Sequence, residues 1–175
     1  MKLITFDMDN TLLRSDKAHV IAFNKGLKKL GLKQKSFYET ARHFGKPKEW
    51  CAEALIGKKD MRLIRELIKW HDYYLENGSK KYSRKIPGAV KVLRELKSRH
   101  YKLALLSNCK HSNIDALIKS AGLNPKFFDL LIGNDDVKRP KPWPDEILLA
   151  KKLLKHKPNY HIGDSIYDVR AAKKA

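Results

Sequence analysis

Apolar and polar positions follow two rhythms along this chain. A short apolar run, Leu3-Ile4-Thr5-Phe6, opens it and reads as a strand. From residue 16 the period lengthens to that of a helix. Ala18, Ile21, Ala22, Leu27 and Leu30 form one stripe, which predicts a helix over residues 16–31 with Asp16 as cap and Gly31 as stop. A second helix is expected over 36–44, broken by Gly45-Lys46-Pro47, and a third over 48–56, stopped by Gly57. The clearest helical pattern runs over 61–75, where Leu63, Ile64, Leu67, Ile68, His71 and Leu75 recur on one face. After Pro87 strand and helix alternate. Helices are expected over 87–99, 114–121, 144–154 and 165–174, and strands over 103–106, 130–132 and 160–162. The unbroken apolar run 103–106 fits a strand buried on both faces.

Alternation of this kind predicts an α/β fold with a parallel sheet. The all-helical stretch over residues 14–83 interrupts it after the first strand. Two units follow: an α/β core from residues 1–13 and 84–175, and a helical insertion over 14–83. At 175 residues and 42% hydrophobic, the chain can bury a real core. No apolar run approaches the roughly 18–20 residues of a membrane span, and no secretory signal pattern opens the sequence. The two cysteines, Cys51 and Cys109, lie far apart and form no disulfide framework. A cytoplasmic protein without membrane contact is the expectation.

Charge changes the picture in one respect. Thirty-eight Lys and Arg face nineteen Asp and Glu, a net of +19. The excess is spread along the chain: residues 14–83 hold 17 basic and 8 acidic positions, and the rest hold 21 and 11. A spread excess attracts anions rather than reading a nucleic-acid groove. A solvated lysine-rich surface is the plainer reading, and a nucleic-acid substrate the less favoured one.

Candidate chemistry gathers after the strands, where open α/β sheets bind ligands. Asp7-Met8-Asp9-Asn10-Thr11 follows the first strand, Ser107-Asn108 the second, and Lys138-Arg139-Pro140-Lys141-Pro142 lies beyond the third. Gly163-Asp164-Ser165 follows the fourth, with Asp168 four residues past Asp164. Carboxylates crowded together repel by roughly 4 kcal/mol per pair at ~4 Å and an effective dielectric of 20. A hard divalent cation relieves this, and all-oxygen ligation favours Mg²⁺. With Mg²⁺ and Lys141 against three aspartates and a phosphate dianion, a protonated Asp9 brings the site towards balance. That balance favours a phosphoryl substrate over a neutral one.

These residues together resemble the haloacid dehalogenase superfamily. Asp7-Met8-Asp9-Asn10-Thr11 is similar to its first motif, Ser107 to its second, Lys141 in Lys141-Pro142-Trp143-Pro144-Asp145 to its third, and Gly163-Asp164-Ser165-Ile166-Tyr167-Asp168 to its fourth. The resemblance implies a Rossmann-like parallel core with an inserted α-helical cap. It implies Asp7 as nucleophile, forming an aspartyl-phosphate, and Asp9 as general acid and base. It assigns Mg²⁺ to Asp7, the Asp9 backbone carbonyl and Asp164, with Asp168 acting through water or as a partner of Lys141. Thr11, Ser107, Asn108 and Lys141 would hold the phosphate, Ser107 and Lys141 among the catalytic groups. Family members that displace halide lack an acidic residue at the position of Asp9, so its presence disfavours dehalogenation.

The insertion resembles the small helical cap of the phosphoglycolate phosphatase branch. Its loop around Gly45 makes Lys46 or Arg42 the expected substrate contact. A small phosphorylated substrate is implied, acted on by a monomer or homodimer. The alternatives are a β-phosphoglucomutase-like transfer and a phosphatase acting on nucleotides or nucleic-acid ends. The family's core continues past the fourth motif with a further edge strand, which this sequence lacks. Among other residues, the histidines show no zinc-ligand spacing, and His19 lies near the cap hinge or on the surface. Cys109 is expected as a buried small hydrophobe. Trp50, Trp70 and Trp143 are expected in core or interface.

Overall fold

The computed structural model describes residues 2–175. In chain order the elements are β1 (Leu3–Asp7), β2 (Leu13–Arg14), α1 (Asp16–Lys29), α2 (Phe37–Ala41), α3 (Lys48–Ile56), α4 (Met61–Glu76), β3 (Arg84–Lys85) and α5 (Ala89–Ser98). Then come β4 (Lys102–Leu106), α6 (His111–Ala121), β5 (Leu130–Ile132), α7 (Asp145–Leu154), β6 (Pro158–Ile162) and α8 (Ile166–Lys174). Four strands form a parallel sheet in the order β5-β4-β1-β6. All therefore point their carboxyl ends to the same side.

Period-two alternation divides the sheet's side chains between two covered faces. Ile4 and Phe6 of β1, with Leu103 and Leu105 of β4, enter one apolar cluster with Leu93, Ile114 and Leu117. Leu3, Ala104 and Leu106 enter the other, against Ile147, Ala150 and Ala171. This is why the run over 103–106 is apolar without interruption. Strand β6 differs: it is an edge strand, and Tyr160 and Ile162 are 65% and 41% exposed. Thr5 is fully buried on β1 and its hydroxyl reaches across to the Tyr160 carbonyl at 3.3 Å and His161 Nδ1 at 2.9 Å.

Helices α1, α3 and α4 carry a third cluster of their own, built on Phe23, Leu27, Leu55, Ile64 and Leu67. The apolar stripe on α4 is the face that packs α1. Gly57, at φ +80°, stops α3 in the left-handed conformation that glycine adopts without a Cβ penalty. Two expectations shift. The cap of α1 is Ser15, not Asp16, and Asp16 instead accepts from Asn10 Nδ2 at 2.6 Å. Helix α2 is only five residues, started by a reciprocal capping box between Ser36 and Glu39 and dissolving into turns at His43 and Phe44. The sequence reading omitted β2 and β3. They pair antiparallel, Leu13 with Lys85 and Arg14 with Arg84, just where the chain leaves and re-enters the α/β layer. Trp50 and Trp143 are 49% and 41% exposed, so neither is a core residue.

One side chain leaves both its polar atoms buried and unpartnered among the described residues: Glu146 on α7 is 0% exposed, and neither carboxylate oxygen has a hydrogen-bond partner within reach. Burial pushes its carboxyl from 4.5 up to about 7, against the pull of the Lys141 charge. The folded chain therefore holds this proton up to near neutrality, while the unfolded chain releases it near 4.5. Stability from this group is lost as pH rises through that window, by about 3 kcal/mol in all at ~1.4 kcal/mol per unit. Glu146→Gln is expected to stabilise the protein by about 2–3 kcal/mol at pH 8 and hardly at all at pH 4.5, measured by denaturant unfolding at both values.

Candidate active site

Asp7 is the last residue of β1, so its side chain emerges at the carboxyl edge of the sheet. It is 6% exposed. Lys141 Nζ, 3% exposed, stands 2.5 Å from Asp7 Oδ1, 2.8 Å from Asp168 Oδ1 and 3.2 Å from the Leu106 carbonyl. One ammonium thus serves two carboxylates and a strand-end carbonyl. Burial works against the Lys141 charge, but Asp7 and Asp168 outweigh it and hold the amine protonated far above its usual range. Asp168 is held well below the carboxylate range. Burial opposes this, and His161 Nε2 at 3.1 Å, Lys141 and the Ser165 hydroxyl overcome it. Burial pushes Asp7 up to about 8, Lys141 pulls it down, and Asp168 and Asp9 push it further up. The site carries more negative charge than one lysine neutralises.

Asp7 Oδ2 is buried with no hydrogen-bond partner. Asp7, Asp164 and Asp168 each offer a carboxylate oxygen, and these oxygens lie within 4.8 Å of one another. Three carboxylates with oxygens this close, all hard donors, fit a hard divalent cation such as Mg²⁺. Asp164 is exposed, and burial together with the Asp168 charge raises its carboxyl.

Asp9 sits two residues on, partly exposed. Ser15 Oγ donates to its Oδ1, His19 Nε2 lies 3.3 Å from the same oxygen, and Ser107 Oγ and Cys109 Sγ approach Oδ2 at 3.4 and 3.6 Å. Burial would raise the Asp9 carboxyl, but the His19 charge and these donors hold it down at about 2. His19 is pushed up to about 10, the Asp9 charge overcoming its burial. The His19 charge and these donors thus favour an ionised Asp9 beside a protonated His19.

His19 and His161 are the site residues that sequence reasoning missed. His19 was expected at a hinge or on the surface, yet it is 8% exposed and faces Asp9. Its place on the buried side of α1, one position after Ala18, was the available signal. His161 alternates with exposed neighbours on β6 and gave none.

The helical insertion closes the other side. Phe23, Phe44, Gly45, Lys46, Lys48 and Cys51 line an open cleft of about 630 Å³, mouth included, above Asp7 and Asp9. Gly45, at φ +83°, lies so close to the sheet side that a Cβ there would meet Ser165 Cβ at 2.8 Å. Asn108 Nδ2 donates to the Gly45 carbonyl at 3.2 Å and to the Lys141 carbonyl at 3.0 Å. Of the two expected substrate contacts, Lys46 lines the cleft, its Nζ 3.0 Å from His43 Nδ1. Arg42 is exposed, donates from Nε to His43 Nε2 at 3.3 Å and does not line the cleft. Thr11 does not line it either, and its buried hydroxyl has no partner. Ser107 is 1% exposed and reaches Asp9 rather than open space. Cys109 is buried as expected.

A family model described as haloacid dehalogenase-like hydrolase matches residues 4–175 of this chain. The chain belongs to that family. Among relatives of the hydrolase, a phosphoglycolate phosphatase from Aquifex aeolicus is 30% identical over 100% of this chain and 81% of its own. A pyrophosphatase PpaX from Listeria innocua is 28% identical over 98% of this chain and 78% of its own. The crystal structure of CbbY from Rhodobacter sphaeroides in complex with phosphate superposes with a TM-score of 0.82 at 25% identity, covering 99% of this chain and 82% of that one. The hydrolase is thus an α/β phosphatase-type enzyme of the phosphoglycolate phosphatase-like branch.

The shared lysine of this hydrolase sets a stability expectation. Lys141→Ala leaves Asp7 and Asp168 buried without their cation. Removing one partner of such a group costs about 3–5 kcal/mol. A drop of that size in unfolding free energy at pH 7 is expected, with a smaller loss for Lys141→Arg, read by urea titration.

Proposed function

We propose that the hydrolase is a Mg²⁺-dependent phosphomonoesterase that works through an aspartyl-phosphate on Asp7. The observation that carries this reading is the unpartnered Asp7 Oδ2 beside Asp164, with Oδ1 fixed by Lys141. One oxygen is tied and the other is free, which is the arrangement an attacking carboxylate needs. Asp7, Asp164 and the Asp9 backbone carbonyl would hold Mg²⁺, with Asp168 behind Lys141. When bound, the ion offsets the charge of the phosphoryl group and orients it for in-line transfer.

The chain's own groups supply the rest. Asp7 Oδ2 forms a bond to phosphorus as the bond to the leaving oxygen breaks. Asp9, drawing on the proton it shares with His19, delivers that proton to the leaving oxygen. Water then attacks phosphorus, Asp9 takes its proton, and the Asp7–phosphorus bond breaks to release phosphate. Lys141, Ser107 and the Asn108 backbone N–H steady the phosphoryl oxygens.

Residues 14–83 form the cap, and 1–13 with 84–175 the catalytic core. The cap places Lys46 over the cleft, so we assign it the contact with the substrate beyond its phosphate. Phosphoglycolate and pyrophosphate, named in the relatives, head the small phosphorylated compounds to test, in a monomer or homodimer acting in the cytoplasm.

In a phosphate-release assay with Mg²⁺, Asp7→Asn is expected to lose at least about 10³-fold in kcat while its circular dichroism stays unchanged. EDTA should abolish turnover and Mg²⁺ restore it. Undiminished turnover in Asp7→Asn would overturn the covalent mechanism.

A further inference from the structure

Behind His19 the structure continues inward. His71, on α4, is 0% exposed. Its ring lies edge to edge with that of His19, with centroids 5.2 Å apart and planes 9° from parallel, and 4.1 Å from the Phe23 centroid on the same side of α1. Both of its nitrogens are engaged. Nδ1 stands 3.0 Å from Asp72 Oδ1, and Nε2 stands 3.0 Å from His19 Nδ1. Asp72 is itself anchored: Lys48 Nζ donates to the same oxygen at 2.6 Å, and Lys110 lies 3.5 Å from Oδ2. Lys48 also donates to Asn113 Oδ1 on α6 at 3.0 Å, so the anchor spans the helical layer and the sheet layer.

Donor and acceptor counting fixes the protons along this row. The Asp72 carboxylate, facing two ammonium groups, can only accept. His71 Nδ1 therefore carries the hydrogen. Burial keeps His71 neutral, drawing it down to about 3, so its Nε2 is a bare lone pair. His19 Nδ1 must then be the N–H that donates to it. A His19 without hydrogen on Nδ1 would set two lone pairs against each other 3.0 Å apart. With Nδ1–H committed, only His19 Nε2 is left to face Asp9 Oδ1, at 3.3 Å.

We propose that His71, oriented by Asp72, is a positioning residue: it accepts from His19 Nδ1–H and so fixes the ring orientation in which His19 Nε2–H confronts Asp9. Fully buried, it works only through His19. The proposal deepens the phosphatase reading and rests on Asp9 being the acid and base of that reaction. It ties His19 to the core through the cap: an intact Asp72–Lys48–Asn113 contact across the two layers is what holds the His71 ring in place.

Two substitutions separate positioning from packing. His71→Leu fills the same space and can accept nothing from His19. His71→Gln keeps an acceptor near the position of Nε2. Nitrogen-15 imidazole spectra of the whole protein, with His19 identified from its absence in His19→Asn, report the hydrogen bond at His19 Nδ1–H without any turnover. The hydrogen-bonded His19 Nδ1–H signal is expected in wild type and in His71→Gln, and lost to solvent exchange in His71→Leu. In the phosphate-release assay with Mg²⁺, His71→Leu should lose about 10–100-fold in kcat with KM within about twofold, and His71→Gln should recover most of it. An unchanged His19 Nδ1–H signal in His71→Leu overturns the proposal. So does an equal loss of that signature in both folded variants, which would mark His71 as packing only. If His71→Leu does not fold, His71→Asn, too short to reach His19, takes its place. The spectra decide this point even where turnover of Asp7→Asn overturns the phosphatase reading, so the two can fail separately.

Discussion

A single buried ammonium, Lys141, bonded to both Asp7 and Asp168, holds the carboxyl edge of the sheet together. Removing charges from water is costly, and a carboxylate at the end of a buried strand is tolerable only with a partner. Lys141 supplies it twice over. Around that contact the remaining groups arrange themselves in a chain. Thr5 holds His161, His161 holds Asp168, Asp168 holds Lys141, and Lys141 fixes one oxygen of Asp7. The chain crosses β1 and β6, so the parallel pairing of those strands sets the orientation of the reacting group. Fold and chemistry are linked here by hydrogen bonds rather than by proximity alone.

The second aspartate is handled differently. Asp9 is stabilised not by a lysine but by a protonated His19 and by hydroxyl and thiol donors. Asp7 and Asp9 are two residues apart at the end of β1, yet their environments move them in opposite directions, one up and one down. Divergent environments for neighbouring carboxylates are how one site can run nucleophilic and proton-transfer steps together. The cap contributes to this division, since His19 lies on α1 and its neighbour His71 on α4.

How much of this could be read from the chain follows from the range of each interaction. The apolar run of β4 and the α4 stripe are local patterns, and both elements appear within two residues of their expected bounds. Asp7, Lys141, Asp164 and Asp168 were legible because strand ends converge by topology, and their spacing within motifs survives translation into space. Arg42 was overreached: its neighbourhood to Gly45 in sequence did not bring it to the cleft, because α2 ends early and turns it outward. The histidine contacts were illegible for the opposite reason. His19 and His71 are 52 positions apart, and Thr5 and His161 are 156 apart, so only the assembled layers bring them together. The β2–β3 pair is too short and too polar to carry a periodic signal.

That two-stranded pair sets the mechanics of the insertion. The outgoing and returning chains are bonded to each other at Leu13–Lys85 and Arg14–Arg84, so they do not act as two independent tethers. Two loose strings would let the helical layer slide, twist and tilt. A single narrow ribbon leaves it chiefly one freedom, a swing about the line of the ribbon, like a lid on one pin. Any such swing would have to lift Gly45 off Ser165 and part α4 from α6 in the same stroke. Access to the cleft and alignment of its proton-handling groups would then be opposite ends of one lever.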